Sequence, residues 1–240
     1  MYGADLAAVH HVGFSALARG AAPWVIHRLR EEGILKGVVV ELGCGSGILA
    51  EQLCQAGYDV VGVDVSRRML EIARSVAPGA LFVLGTLHEM ELPPSAAVLA
   101  IGEGIQYIPE GSTVVDPRKL FERVSRSLRP GGLFIFDVMV KGEDPVAYER
   151  SSYGPGWVVR VRVTEEPLTG VVTRAIATRR KAGCRYRDGA EVHRVQLLEE
   201  RQTIDQLEAL GFDVEVSSGY GVHALAPGRR AFIARKRSAG

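Results

Sequence analysis

The sequence has few cysteines, and they form no recognisable site. Its three cysteines, Cys44, Cys54 and Cys184, include no CxxC pair, so we expect neither a disulfide framework nor a thiolate metal site. The six histidines show no H-x-x-H or similar ligand spacing. No bound metal is therefore predicted.

The sequence also lacks a long apolar run and an excess of either charge. No stretch approaches the roughly 20 apolar residues that span a bilayer, and the first 30 residues do not resemble a signal peptide. With 29 basic and 28 acidic side chains the net charge is +1, which creates no overall field for a polyanion. The basic C-terminal RRAFIARKR is typical of a strand with solvated ends. We expect a cytoplasmic protein that binds neither a membrane nor nucleic acid.

The first part of the chain alternates between strand and helix patterns. Hydrophobic residues make up 47% of the 240 residues, enough for a substantial core. Helical spacing over residues 4–32, interrupted before Pro23, precedes five alternations of apolar strand and helix. The predicted strands are 38–42, 59–65, 80–85, 96–102 and 132–138. The helix before the last strand is predicted within DPRKLFERVSRSLRPGG, where Pro130 and Gly131 stop it. Such alternation predicts a parallel, doubly wound sheet.

After residue 140 the apolar pattern changes to a period of two. In GWVVRVRVTEE valine alternates with arginine, and VVTRAIATRR and VHRVQLL show similar runs, separated by the turn-forming PLTG and RDG. These segments predict an antiparallel sheet with one solvent-exposed face, inserted as a lid or an extension. TIDQLEALGF then restores a helix that ends at Gly211, and two further strands close the fold.

A cluster of glycines follows the first predicted strand. Gly43, Gly45 and Gly47 leave room for a ligand against the backbone, and the next helix directs free N–H groups into the same crevice. Dinucleotide sites use G-x-G-x-x-G, whereas here isoleucine stands where the last glycine would fall. Glu41, just before the loop, suits a cationic ligand better than a pyrophosphate. Asp64, 17 residues after Gly47 at the end of the next strand, can accept both hydroxyls of a ribose.

Three segments in this order, VVVELGCGSG, VVGVDVSRRMLEIAR and LRPGGLFIFDV, resemble the class I S-adenosylmethionine-dependent methyltransferases over residues 38–140. The C-terminal EERQTIDQLEALGFDVEV is similar to the tail of small-molecule members, which include amino-sugar N-methyltransferases. The resemblance implies an α/β fold: a Rossmann-like, doubly wound seven-stranded sheet with an antiparallel β insertion after the fifth strand. It also implies a helical cover at 1–36, a cofactor-binding core at 37–140, a lid at 141–200 and a closing helix and strand pair at 201–240.

The resemblance further implies that S-adenosylmethionine, the precursor of S-adenosylhomocysteine, binds against the glycine loop. Glu41 would reach the methionine amino group, Asp64 the ribose and Arg19 the methionine carboxylate. Thr86 stands where an acidic residue commonly holds the adenine amine, and Met69 could equally fill the core. The residues implied to contact the cofactor are Arg19, Glu41, Gly43, Cys44, Gly45, Gly47, Asp64, Val65, Met69, Gly85, Thr86, Leu87 and Gly102.

Few catalytic groups are expected, because methyl transfer depends mainly on alignment of the acceptor with the methyl group. His10, His11 and Glu103 are candidate bases for an amine or a hydroxyl. The two histidines are adjacent, so on a helix they point about 100° apart and at most one faces the pocket. Phe14 and Tyr107 are candidates for substrate contact. Each of these side chains could equally be structural or exposed.

The leading hypothesis is transfer of a methyl group from S-adenosylmethionine to an N or O atom of a small molecule by in-line displacement. One alternative is a methyltransferase that acts on a peptide or protein. The other is a nucleotide-binding protein without catalysis, or an NAD-dependent reductase, although the glycine spacing and the lack of a Tyr-x-x-x-Lys pair argue against the reductase. A monomer is expected, or a homodimer paired through the edges of the insertion.

Overall fold

The computed structural model describes residues 2–238. Its helices are α1 (Ala4–Gly13), α2 (Ala16–Glu31), α3 (Ile48–Gln55), α4 (Arg67–Val76), α5 (Arg118–Ser127) and α6 (Glu200–Ala209). Its strands are β1 (Val38–Leu42), β2 (Asp59–Asp64), β3 (Leu81–Leu84), β4 (Ser95–Ala100), β5 (Leu128–Met139), β6 (Ala147–Gly154), β7 (Trp157–Glu166), β8 (Val171–Ala182), β9 (Arg185–Gln196), β10 (Phe212–Ser217), β11 (Gly219–Tyr220), β12 (His223–Ala224) and β13 (Arg229–Lys236).

The central sheet has seven strands in the order β10-β13-β5-β4-β1-β2-β3. Strands β1 to β5 run parallel, while β13 is antiparallel to both β5 and β10. One hydrophobic core packs α2, α3 and α4 against one face, and a second packs α5 and α6 against the other. Because helices cover both faces, β1 and β4 are buried along almost their whole length. The predicted seven-stranded, doubly wound fold is confirmed.

The N-terminal helices break at a different place from the one predicted. The interruption falls at Phe14 and Ser15, and Pro23 lies inside α2. A proline removes one intrahelical hydrogen bond. Val25 and Leu29 on the same helix are completely buried, so tertiary packing holds the helix through the proline.

The helix before β5 ends earlier than predicted, at Ser127, ahead of the Pro-Gly-Gly segment. Leu128 begins β5 by pairing with Ser95 at the start of β4. The pairing then shifts between Ser95 and Ala97, and Gly131 has a φ of +74°. The Pro-Gly-Gly segment therefore forms an irregularity inside the strand, where the sequence predicts the end of a helix.

The insertion is a four-stranded antiparallel sheet in the order β6-β7-β8-β9. The segment AYERSSYG has no apolar alternation, so the sequence does not predict β6, which pairs with β7 as an exposed edge strand. The turn predicted at residues 187–189 is wrong. These residues lie inside β9, and the chain turns at Gly183, where φ is +63°.

Helix α1 lies between the insertion and the central sheet. Val9 packs on Val159 of β7, and Asp5 forms ion pairs with Arg180 of β8 and Arg187 of β9. The insertion and α1 together cover the carboxyl ends of the parallel strands, which is where open α/β sheets bind ligands. Within residues 2–238 no helix is both long and apolar enough to cross a membrane.

Candidate active site

The glycine loop between β1 and α3 has a backbone that side chains would disrupt. Gly43, Gly45 and Gly47 have φ values of +70°, +51° and +76°, the left-handed region that favours glycine. A Cβ on Gly47 would lie 3.0 Å from the Cα of Ala73 in α4, whereas a Cβ on Gly45 would meet nothing within 4 Å. The loop therefore packs tightly on α4 and presents bare backbone at Gly45.

Asp64 holds this loop from the end of β2. Its Oδ2 accepts a hydrogen bond from the N–H of Gly45 at 2.9 Å, and its Oδ1 accepts one from the N–H of Ser66 at 2.7 Å. Burial raises the pKa of the Asp64 carboxyl, and these N–H groups oppose the rise. A carboxylate can accept about four hydrogen bonds, so each oxygen keeps capacity for a ribose hydroxyl.

Glu41, at the end of β1, is a buried carboxyl group with one oxygen unsatisfied. Its side chain is buried and its Oε2 has no hydrogen-bond partner. Burial raises its pKa to about 8, and the nearby Asp64 contributes to the rise. A cationic group at this oxygen would satisfy it and restore its charge. The buried Cys44 thiol next in the loop has a raised pKa for the same reason, so it is not a reactive thiolate.

The predicted adenine contacts lie along the ends of β2 and β3. Val65 is about half exposed, whereas Met69 is buried. The N–H of Gly85 donates to the carbonyl of Asp64 at 3.1 Å. The carbonyl of Leu87 accepts a hydrogen bond from Arg123 at 3.0 Å, and the Thr86 hydroxyl accepts one from the N–H of His88 at 3.3 Å. Adenine recognition by these residues stays a prediction.

The N-terminal segment contacts both sides of the cofactor crevice. His11 Nδ1 lies 3.0 Å from the hydroxyl of Ser46 in the glycine loop. Ser66 Oγ, at the start of α4, donates to the carbonyl of Tyr2 at 2.9 Å. Arg19 is exposed on α2, where its Nε donates to Ser15 at 3.3 Å. Contact of Arg19 with a carboxylate stays a prediction.

Six aromatic side chains form a continuous row from the interior to the surface. Consecutive ring centroids are 4.9 to 5.9 Å apart. In order along this aromatic row, they are Tyr107, His193, Tyr2, His10, Phe14 and Trp157. The sequence-predicted His10, Phe14 and Tyr107 thus come together, although His11 faces the glycine loop instead.

The histidines of the row are uncharged at neutral pH. Burial, with smaller contributions from His11 and His193, lowers the pKa of His10 to about 4. Burial also lowers the pKa of His193, against the effect of its neighbour Glu191. His193 Nε2 lies 3.0 Å from Glu191 Oε2. A proton on the imidazole of His10 is therefore costly, and His10 is a weak base.

Glu103, a predicted base, is a buried carboxylate held between two arginines. It is 2% exposed. Its Oε2 accepts a hydrogen bond from Arg174 of β8 at 2.5 Å, and its Oε1 forms an ion pair with Arg229 of β13 that lacks hydrogen-bond geometry. Glu103 has a φ of +65°, the one positive value of a non-glycine residue within residues 2–238. This setting favours a structural role, because a guanidinium group already pairs with each oxygen of the carboxylate.

Asp137, at the end of β5, was not among the predicted site residues. Its Oδ1 accepts hydrogen bonds from the N–H of Gly102 and from the hydroxyl of Tyr220, both at 2.7 Å. Its Oδ2 has no partner, and burial raises its pKa to about 6. It therefore anchors Gly102, the predicted cofactor contact that precedes Glu103. The sequence feature that could have identified it is its position as the single acidic residue within the apolar segment FIFDVMV.

Replacement of Asp137 by asparagine is expected to remove a pH-dependent contribution to stability. The ordinary pKa of 3.8 rises to about 6 on folding, so the native protein holds this proton more tightly than the unfolded chain. The resulting stabilisation is complete below about pH 4 and is lost as pH rises to about 6. The variant keeps an acceptor for Gly102 and Tyr220. The unfolding free energy of the variant minus that of the original protein should therefore increase by about 1–3 kcal/mol as the pH rises from about 4 to about 6.

Urea unfolding at pH 4, 5, 6 and 8 checks this expectation. Asp144→Asn, in an exposed loop, is the matched control and should show no such rise. A difference between Asp137→Asn and the original protein that is constant over this range would contradict the expectation.

Three other residues of the site lie in the insertion, outside the set of predicted site residues. Arg174 and Glu191 occupy strands whose pattern predicts only an antiparallel sheet, yet both lie on the face turned toward α1. His193 lies opposite Arg174 in the β8–β9 pairing. The alternation of β9 identifies which side chains share a face, but not what that face covers.

Residues 40–136 match the family described as "Methyltransferase domain". An uncharacterised methyltransferase of Mycobacterium tuberculosis is 34% identical over 94 residues, which cover 39% of this chain and 36% of that protein. A ubiquinone biosynthesis O-methyltransferase of Proteus mirabilis is 28% identical over 116 residues, 46% of this chain and 45% of that protein. The chain thus matches about a third to a half of the length of these curated relatives.

Solved structures match the fold along nearly the whole chain. An S-adenosylmethionine-dependent methyltransferase from Clostridium acetobutylicum has a TM-score of 0.80 at 17% identity, over 96% of this chain and 98% of that one. CalS10, an amino pentose methyltransferase from Micromonospora echinaspora solved with S-adenosylmethionine bound, has a TM-score of 0.76 at 19% identity, over 98% of both chains. The match at residues 40–136 supports the predicted resemblance to methyltransferases over that segment, and the solved structures confirm the predicted fold. Residues 40–136 of the chain are thus similar to a methyltransferase domain, and the chain has the overall fold of the S-adenosylmethionine-dependent methyltransferases.

Proposed function

We propose that this protein transfers a methyl group from S-adenosylmethionine to an N or O atom of a small molecule by in-line displacement. The observation that carries the proposal is the buried, unpartnered oxygen of Glu41 at the base of the glycine loop. S-adenosylmethionine carries an ammonium group and a sulfonium centre, so a cation at this oxygen fits its chemistry. A pyrophosphate at the same place is itself negatively charged and would be repelled by the carboxylate of Glu41.

Each residue that would hold the cofactor suits the chemical group it would contact. The backbone of Gly43 to Gly47 would lie under the methionine part, Glu41 would bind its ammonium group, and Asp64 would accept the ribose hydroxyls. When bound, S-adenosylmethionine supplies an electrophilic methyl group with a good leaving group. The chain's own contribution is then to orient the acceptor, exclude water and accept one proton.

The cover over the crevice favours a small molecule over a peptide or protein. Ion pairs of Asp5 with Arg180 and Arg187, and a 2.9 Å hydrogen bond from the N–H of Gly3 to Glu191, fasten the N-terminal segment to the insertion. A peptide substrate would require an open groove along this line. The named relatives, a ubiquinone biosynthesis O-methyltransferase and an amino pentose methyltransferase, also favour a small acceptor.

Calorimetric titration with S-adenosylhomocysteine, with NADH as the control ligand, tests the proposal. We expect S-adenosylhomocysteine to bind with 1:1 stoichiometry and NADH to give no heat of binding. Incubation with methyl-labelled S-adenosylmethionine and a panel of amines, phenols and carboxylic acids then tests transfer. Binding of NADH alone would contradict the cofactor, and binding of S-adenosylhomocysteine without transfer to any acceptor would favour a protein without catalysis.

A further inference from the structure

We propose that the acceptor is a hydroxyl group on an aromatic ring and that His193 is the base that takes its proton. The inference rests on the proposed function and specifies its substrate class. It depends on three observations: the aromatic row, the pairing of the acidic side chains along it, and the orientation of His193 by Glu191.

The aromatic row offers ring surfaces from the exterior to the interior. Phe14, next to Trp157 at the outer end, is 37% exposed, and His193, near the inner end, is 4% exposed. The indole of Trp157 lies against two glycines, since a Cβ on Gly13 or Gly154 would come within 2.5 Å of it. Aromatic rings prefer aromatic partners in edge-to-face or offset contact. A ring that enters beside α1 would therefore meet such partners along its whole path.

The acidic groups that border the row already have partners. Glu103 is paired with Arg174 and Arg229, and Asp5 is paired with two arginines of the insertion. Glu191 accepts hydrogen bonds from His193 and from the N–H of Gly3. An ammonium substrate in this layer would have to displace one of these partners, whereas a neutral aromatic hydroxyl would displace none. This pairing favours a phenol over an amine.

His193 has the orientation that a base requires. With its Nε2 hydrogen directed to Glu191, the neutral imidazole carries its lone pair on Nδ1. The lowered pKa keeps it unprotonated at neutral pH. Its neighbours connect the row to the ends of the central strands, since Tyr2 bonds to Ser66 after β2 and Tyr107 follows β4. The titratable or charged groups that face His193 are Glu191, Arg174, Tyr2, His10 and Tyr107.

The reaction balances without a further reactant. The phenolic proton passes to Nδ1 of His193, and the oxygen forms a bond to the methyl carbon as the carbon–sulfur bond breaks and sulfur keeps its electron pair. The imidazolium formed lies beside Glu191, which stabilises it until the proton passes to solvent.

Paired ligands test the substrate class on the full chain saturated with S-adenosylhomocysteine. Phenol, catechol and 2-naphthol are each compared by calorimetry with their ring-saturated alcohols, and benzylamine serves as the aromatic cation. At least one aromatic alcohol should bind about 10-fold more tightly than its saturated partner. With S-adenosylmethionine present, mass spectrometry should then detect its methyl ether. Equal binding within every pair, or methylation of benzylamine but of none of the phenols, would overturn the inference.

Variants test the base. His193→Gln should lower turnover of the methylated phenol at least about 100-fold and leave S-adenosylhomocysteine affinity unchanged, which also reports on folding. His27→Gln, on the exposed side of α2 and paired with Glu31, is the matched control with unchanged turnover. Glu191→Gln removes the group that raises the His193 pKa, so the acidic limb of the rate should move to lower pH. Full turnover by His193→Gln would overturn the role of His193.

These outcomes separate the inference from the function on which it rests. If S-adenosylhomocysteine does not bind, or if no phenol, amine or carboxylic acid is methylated, the proposed function fails and the inference fails with it. If S-adenosylhomocysteine binds and only the amine is methylated, the proposed function stands and the inference alone is wrong.

Discussion

Replacement of Asp64 by alanine is expected to weaken S-adenosylhomocysteine binding at least about 100-fold. The Asp64 carboxylate accepts hydrogen bonds from the backbone of Gly45 and of Ser66 and is the proposed acceptor for the ribose. Hydrogen bonds to charged groups contribute about 1.5–3 kcal/mol each. The variant loses the ribose contacts and the bond that fixes the glycine loop beneath the ligand. Calorimetric titration at constant salt measures the loss.

Two further variants of the same strand show which contribution dominates. Asp59→Ala, at the exposed first position of β2, is the matched control and should bind like the original protein. Asp64→Asn can accept from Gly45 but lacks the charge, so its affinity should lie between the other two. Unchanged binding by Asp64→Ala would contradict both the ribose role and the need for a fixed loop.

The central sheet and the glycine loop were predictable because their signals are local. A buried parallel strand is a short apolar run, and Gly43, Gly45 and Gly47 stand within five residues, each with the positive φ that glycine permits. Asp64 follows from the end of the next run. None of these required knowledge of which distant segments meet.

The aromatic row and the ion pairs of Glu103 with Arg174 and Arg229 were not predictable, because their members are far apart in the sequence. Arg174 meets Glu103 across 71 positions, and His193 meets Tyr2 only because α1 docks on the insertion. The alternation in β8 and β9 identifies two faces but not the partner of either. The sequence therefore predicts Glu103 as a candidate base but does not predict its two arginine partners. Those partners change its expected role from catalytic to structural.

Replacement of Glu103 by alanine is expected to lower the unfolding free energy by about 3–5 kcal/mol. Its carboxylate is buried between Arg174 and Arg229. Its loss leaves the Arg174 guanidinium, which is 13% exposed and also contacts the sulfur of Met139 at 2.9 Å, without its anion. A free catalytic base would behave differently, since its removal would abolish turnover with little effect on stability. Denaturant unfolding at pH 7.5 distinguishes the two.

Backbone strain at Glu103 supplies an internal check on this result. Its φ of +65° costs a residue with a side chain about 1–2 kcal/mol, so Glu103→Gly should be more stable than Glu103→Ala, although it lacks the same carboxylate. Glu149→Ala breaks an exposed ion pair with Arg162 and should change stability by less than about 1 kcal/mol. A Glu103→Ala protein as stable as Glu149→Ala would mean that the arginines find other partners. In that case other contacts would hold the insertion on the central sheet, among them Gln106, whose side-chain amide donates to the carbonyls of Met139 and Gln196.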